Sequence, residues 1–422
     1  MTDHAPSRPA ATLGIDFGTS NSAAGLAVAG EPFLIELEPG ESSLPTAVFF
    51  DARDGRMRIG NSAIRGLIAG DEGRFMRALK SLLGTPLLHE ERHFGGKRMT
   101  FADVIARFLA ELKSRAEAQT RMEFTNALSG RPVRFHSKDE TRNARAEEDL
   151  RACYRAAGFE DVRFMFEPEA ALRATTPQPG VGLIVDIGGG TSDFTAFRQS
   201  ADGTTEILAS HGIRLGGTDF DQRISLAKAM PLLGRGSQIR DSFGPGTLPA
   251  PNRIFNDLSS WQMIPFLYTP DELRTARDLR RHAVEQEKLS RLVATLEDHL
   301  GHDIAFAVEH AKIASNQPEV PSAQIYLAVL ERGLKASLTR AELSELLKAQ
   351  MAELTKAAKE TLQMAGLSPL DVGRIVLVGG SALLSCLHGH MQELCRNAVL
   401  ESGKSLTAVA SGLALAAPTA FD

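Results

Sequence analysis

Apolar positions along the chain follow two rhythms. Short apolar runs ending in Asp or Gly alternate with longer stretches whose apolar residues recur every three to four positions, the marks of strands and amphipathic helices. Thr12 to Ala23 reads TLGIDFGTSNSA, and Gly182 to Thr195 reads GLIVDIGGGTSDFT. Each is an apolar strand ending in Asp, then a glycine-rich turn, then Thr and other small polar residues. Strand-like runs follow both, at Ala24 to Val28 and Phe194 to Phe197, which predicts two β-hairpins with glycine tips. Their separation of about 170 residues is too long for a solenoid period and fits a duplicated domain. A third apolar strand, RIVLVGGS from Arg374 to Ser381, also ends in glycines.

Between these strands the period becomes helical. Phe101 to Glu117 carries Val104, Ile105, Phe108, Leu109 and Leu112 on one face. Glu140 to Ala157 and Ala341 to Ala365 are rich in Ala, Glu, Lys, Arg and Leu, and the second stops at Gly366 with Pro369 beyond. Pro231 to Pro251, dense in Gly, Pro and Ser, predicts a long surface loop or insertion. Strands alternating with helices give an α/β class, and the repeated hairpin points to two related lobes.

At 422 residues the chain exceeds what one core serves, so two or more domains are expected. Its net charge of −5 argues against nucleic acid or an anionic membrane as the main partner. No apolar run approaches the roughly eighteen residues of a membrane span, and Met1 to Ala11 lacks the features of a secretory signal. Cys153, Cys386 and Cys395 read as free thiols, which fits a reducing compartment and a cytoplasmic location.

Composition leaves room for a phosphate ligand, and the hairpins supply the chemistry. Glycine lets the backbone approach a ligand closely and adopt positive φ, so successive N–H groups can point at phosphate oxygens. A neighbouring Thr or Ser adds a hydroxyl donor. Asp repels phosphate directly, yet it can hold the water shell of a bridging Mg²⁺, an ion that keeps several waters. Two facing hairpins, with Asp16 and Asp186 in equivalent places, would grip a polyphosphate and its metal from both sides. One Asp-x-Gly-Thr is as readily an ordinary tight turn; two copies plus a third glycine-ended strand favour phosphate.

These motifs resemble those of the heat-shock protein 70 family. IDFGTSNS (Ile15 to Ser22) and VDIGGGTSD (Val185 to Asp193) resemble its two phosphate motifs, and GGTDFD (Gly216 to Asp221) the motif after the second hairpin. VEHAKI (Val308 to Ile313) and IVLVGGS (Ile375 to Ser381) resemble its adenosine motifs. EPEAAL (Glu167 to Leu172) matches its connecting motif, and RALKSLLG (Arg77 to Gly84) resembles the segment with its catalytic lysine. Order and spacing agree from residue 12 to about 417. GRPVRF (Gly130 to Phe135), AGFEDVRFMFEP (Ala157 to Pro168) and MPLLG (Met230 to Gly234) look more like the YegD-like subgroup than ordinary DnaK.

The resemblance implies an actin-like (ribonuclease H-like) ATPase, with two duplicated lobes around a nucleotide cleft. Lobe I would be residues 1–180 with a small subdomain near 46–99, and lobe II 181–422 with one near 226–317. ATP or ADP with Mg²⁺ would bind, and slow hydrolysis to ADP and phosphate would follow. Gly18, Thr19, Ser20 and Asn21 would lie against the β- and γ-phosphates, and Gly188, Gly189, Gly190 and Thr191 would do so from the other lobe. Asp16 and Asp186 would meet the metal through water. Lys80 would reach the γ-phosphate, with Thr191 beside it in the catalytic group, and Glu167 and Asp193 would orient the attacking water. Glu309 and Lys312 would bind the ribose, and Gly379, Gly380 and Ser381 would flank the adenosine. Taken alone, Lys80 reads as an exposed helix lysine, Glu167 as a surface carboxylate, and Glu309 with Lys312 as a surface ion pair.

Two departures stand out within the resemblance. Leu383 falls where the family carries an arginine stacked on adenine, and Glu147, with Arg145 nearby, falls where it carries an arginine coupling the lobes. After LALAAPTAFD no linker or peptide-binding domain follows, so the resemblance implies a member lacking that half. The expected partner is a protein client, with co-chaperones, and the expected role a chaperone-type ATPase whose nucleotide state controls that partner. A nucleotide sensor or scaffold without turnover, and a sugar kinase of the same superfamily, are the alternatives. Three further patterns read as decoys. AVLESGKS (Ala398 to Ser405) loosely mimics a phosphate loop but follows a helical segment. His299 and His302 in EDHLGHD read as a polar helix end, and His388 and His390 as a solvated turn.

Overall fold

A computed structural model of the chain describes residues 10–135, 139–240, 246–401 and 407–422. The chain divides into two compact units, one of residues 1–214, 356–383 and 391–422, the other of 215–355 and 384–390.

The first unit holds two five-stranded paths of the same design. In one, Asp161–Phe166, Glu123–Arg131, Ala10–Phe17, Asn21–Val28 and Glu31–Leu34 lie side by side, with Ser43–Pro45 also paired to Asn21–Val28. In the other the order is Val399–Glu401, Arg374–Val378, Gly180–Ile187, Ser192–Gln199 and Thr205–Ile213. Each path has two parallel strands beside the first hairpin strand and antiparallel pairing after it. The duplication read from two short motifs therefore extends to whole sheets.

Helices cover the first sheet. Thr100 starts Phe101–Thr120 with a capping box, its hydroxyl accepting from Asp103 N–H while Asp103 accepts from Thr100 N–H. The apolar stripe predicted for that helix is buried throughout: Val104, Ile105, Phe108, Leu109 and Leu112 are all 0 % exposed. Asp139 caps Glu140–Ala156 through the N–H of Arg142. A smaller apolar cluster joins Leu128 of the first sheet to Ile184, Phe197, Val376 and Val378 of the second, through Ala170 to Leu172 and Leu413. Two short helices, Glu167–Arg173 and Ala408–Ala416, build that junction. They cross so closely that a side chain on Gly412 would overlap the backbone oxygen of Ala170.

Two predicted elements differ. Ala341 to Ala365 is two helices, Arg340–Leu346 and Lys348–Met364, because Leu347 (φ −95°, ψ 4°) leaves helical geometry. Pro231 to Pro251 is not a bare loop: it holds a 3-10 turn, Met230–Leu233, and a hairpin of Gln238–Arg240 with Thr247–Pro249. Gly234 (φ 105°) and Gly236 (φ 82°) make the sharp reversal that side chains resist, so the same glycines that signal a loop build the turn into a strand. The rest of the second unit is mainly helical, with Gly217–Lys228, Asn252–Ser259, Pro270–His282, Gln286–Glu297 and Gly301–Ser315.

Candidate active site

Both hairpins form, and in the same register. Asp16 pairs opposite Ala23 and Phe17 opposite Ser22; Asp186 pairs opposite Asp193 and Ile187 opposite Ser192. The tips are Gly18 to Asn21 and Gly188 to Thr191. The N–H of Gly188 donates to Thr191 O at 2.9 Å, and a side chain on Gly18 would strike Asn21 O, so both tips are closed tightly on themselves. The two tips also meet, because Ser20 Oγ occupies the space that a side chain on Gly189 would need. Thr19, Ser20 and Gly188 to Gly190 are half-buried, and Asn21 and Thr191 are exposed.

The third glycine strand joins the second hairpin. Arg374–Val378 runs parallel to Gly180–Ile187 and sets Val378 beside Asp186. Gly379 follows at φ 84°, where a Cβ would lie 2.5 Å from Ile187 O and 3.0 Å from Asp186 Oδ1. Gly380 and Ser381 open the turn Gly380–Leu383, at whose end Leu383 is exposed.

Lys80 does not lie on an exposed helix. It sits in the 3-10 turn Leu79–Leu82, is 8 % exposed, and donates from Nζ to Glu167 Oε1 at 2.5 Å. Glu167 opens the helix Glu167–Arg173, where a carboxylate suits the helix dipole and Pro168 fits the first turn. The surface reading of both residues is thereby excluded.

Asp16, Asp186 and Asp193 gather around this pair, half-buried. Burial, and then the charge of Glu167, pushes each from an ordinary 3.8 to about 7, while Lys80 pulls the other way. Burial alone lowers the Lys80 ammonium, but Glu167 and Asp16 outweigh it and the net direction is upward. Like charges directly across a hairpin destabilise it, and Asp186 faces Asp193 in that way. Four carboxylates around one ammonium make an excess of negative charge suited to a divalent cation. Among the described residues no three His, Cys, Asp or Glu converge closely enough to ligate an ion directly. A cation such as Mg²⁺ would therefore have to meet these carboxylates through its own waters. Glu167, Asp186, Asp193, Thr195 and Ser210 line a cavity of about 10 Å³, room on the order of one water.

The remaining predicted residues lie in the second unit, on Gly301–Ser315. Lys312 is buried and its Nζ stands 2.8 Å from Asp221 Oδ1, the last residue of GGTDFD; Glu309 is half-buried. The spacing of Glu309 and Lys312 gave no sign of Asp221, which is distant in sequence. Sequence reading also passed over Asp149, Tyr154 and Gly412, none of which carries a local pattern.

The decoys resolve simply. His299 (φ 57°) stacks on Tyr268 with centroids 4.2 Å apart, and buried His302 packs edge-on to Trp261. His388 and His390 lie in the helix Ser385–Leu394 rather than in a turn. Of AVLESGKS, Ser402 to Ser405 lie outside the described residues, as do Met1 to Pro9, His136 to Lys138 and Asp241 to Pro245. Cys153 and Cys395 are buried, Cys386 is half-buried, and all three are free. Glu147 is ion-paired to Arg131 and to Arg151. No helix among the described residues is long and apolar enough to cross a membrane.

The family model described as Hsp70 protein matches residues 88–229 and 277–419. The chaperone protein DnaK of Methanothermobacter thermautotrophicus is 26% identical over 416 residues, covering 96% of this chain and 59% of that protein. DnaK of Endomicrobium trichonymphae is 35% identical over 222 residues, covering 50% of this chain and 34% of that one. The matches thus span less than two thirds of the length of these relatives. With duplicated sheets, paired glycine tips and a family match over most of its length, the chain belongs to the Hsp70 family and has that family's actin-like ATPase fold.

Proposed function

We propose that the chain binds ATP with Mg²⁺ and hydrolyses it slowly to ADP and phosphate, as a chaperone-type ATPase that controls a protein partner. The observation that carries this reading is the meeting of the Ser20 and Gly189 tips beside the Lys80–Glu167 pair.

In this reading the N–H groups of Gly18 to Asn21 and Gly188 to Thr191 hold the β- and γ-phosphates, with the Thr19, Ser20 and Thr191 hydroxyls as further donors. Asp16 and Asp186 would hold the metal by accepting from its waters. When bound, Mg²⁺ would supply charge stabilisation to the phosphates. Lys80 has three donors and gives one to Glu167, so others remain for γ-phosphate oxygens. Glu167 and Asp193, which share a water-sized cavity, orient the attacking water. Such positioning and electrostatic help is the main contribution a protein makes to phosphoryl transfer. Glu309 and Lys312 take the ribose hydroxyls, Lys312 while keeping Asp221, and Gly379, Gly380 and Ser381 take the adenosine. Leu383 packs on the base without the cation–π contribution of roughly 0.5–2 kcal/mol that an arginine would add. The lobes 1–180 and 181–422, with small subdomains near 46–99 and 226–317, are the proposed moving parts. The proposed setting is the cytoplasm, with a client and co-chaperones as partners.

Calorimetry of ATP and ADP with Mg²⁺, followed by phosphate release from wild type, Lys80→Ala and Thr191→Ala, tests the reading. Binding of ATP by all three with hydrolysis lost in the variants is expected. Wild-type rates in both variants would overturn the catalytic assignment. Stoichiometric binding without turnover would replace it by a sensor, and transfer to an added sugar by a kinase.

A further inference from the structure

The segment carrying Lys80 is held from a distance. Its 3-10 turn is flanked by two left-handed residues, Ala78 (φ 57°) and Gly84 (φ 75°). A non-glycine residue in that region is uncommon and is kept there by its surroundings. Local bonds alone, such as Ser81 Oγ to Ala78 O and Thr85 Oγ1 to Leu82 O, tie the segment only to itself. Asp149 is an external anchor. Its Oδ2 accepts from Gly84 N–H at 2.9 Å and its Oδ1 pairs with His89 Nε2 at 3.0 Å, so both oxygens serve this one segment. The Asp149 side chain is 9% exposed, which makes its loss hard for water to replace.

The same helix, Glu140–Ala156, also braces the other half of the ion pair. Tyr154 Oη donates to Ser129 Oγ at 2.8 Å in the strand Glu123–Arg131. The next residue, Gly130, lies against Glu167, whose Cγ would be 3.2 Å from an added Cβ. One helix therefore fixes Lys80 on one side and backs Glu167 on the other.

We infer that Asp149 is a positioning residue, which sets Lys80 against Glu167 by holding Gly84 and His89. Its effect on catalysis rests on the ATPase reading above; its effect on Lys80 does not.

The test uses the full chain with Asp149→Ala, Asp149→Asn and His89→Ala. Lys80 acylation by an amine-reactive ester is followed by peptide mass spectrometry, with exposed Lys356 as the internal standard. ATP turnover is measured alongside, and a sharp thermal transition establishes folding. In Asp149→Ala, Lys80 should label at least roughly tenfold faster relative to Lys356, and kcat should fall by roughly 10- to 100-fold with KM little changed. Asp149→Asn keeps an oxygen for Gly84 N–H and should restore both. His89→Ala removes one of the two bonds at a half-exposed side chain and should give a smaller rise in labelling, which decides the matter if Asp149→Ala does not fold. Lys80 protected as in wild type in the folded variants, or a uniform rise at every lysine, would overturn the inference. A wild-type chain without turnover would sink the ATPase reading and leave labelling to judge Asp149.

Discussion

Replacing Asp186 by Asn should make the nucleotide-free protein more stable while disabling it. Asp186 is pushed from 3.8 to about 7 by burial, Glu167 and Asp193. The fold therefore favours the protonated form more than the unfolded chain does. The group's stabilising contribution is complete below about pH 4, declines as pH rises, and is lost above about pH 7. Relative to a neutral amide, the ionised carboxylate destabilises the fold at pH 8 by at most about 4 kcal/mol, from three pH units at about 1.4 kcal/mol each. Asp186 is only half-buried, and the water that reaches it reduces this to about 2 kcal/mol. At pH 5 the same reasoning leaves under about 1 kcal/mol. Urea unfolding of wild type and Asp186→Asn without Mg²⁺ or nucleotide, at pH 8 and pH 5, measures both values. A loss of stability in the variant, or an equal gain at both pH values, would refute the account of the cluster as crowded negative charge.

Three further outcomes follow from contacts elsewhere. Gly412→Ala should lose about 3 kcal/mol or more in urea unfolding, since its Cβ meets the Ala170 backbone, which cannot rotate away. Gly189→Ala should lose stability in urea unfolding of the nucleotide-free protein through collision with Ser20 Oγ, and adding Ser20→Ala should recover part of it; no recovery would mean that the tips are not in contact. Burial raises all three thiols, Cys153 to about 12 and Cys395 to about 11, and only Cys386 is half-buried rather than buried, so a thiol reagent on the native protein at pH 8 should reach Cys386 first.

The hairpins were legible in the sequence because their determinants are local. An apolar run, a terminal Asp and consecutive glycines fix a strand and a tight reversal within about a dozen residues. The amphipathic stripe of Phe101–Thr120 was legible for the same reason. Helix ends and the division at Leu347 were less so, because packing settles them.

The tertiary structure alone decided what those pieces face. Nothing near Lys80 in the chain shows that Glu167 is its partner or that both leave solvent, and nothing near Asp149 shows that it holds Gly84. Gly412 and Lys312 read as ordinary helix residues until Ala170 and Asp221 are placed beside them. A strand or turn is selected by neighbours along the backbone, whereas burial, charge crowding and the values of Asp16, Asp186 and Asp193 depend on groups brought together from separate strands, a helix start and a 3-10 turn.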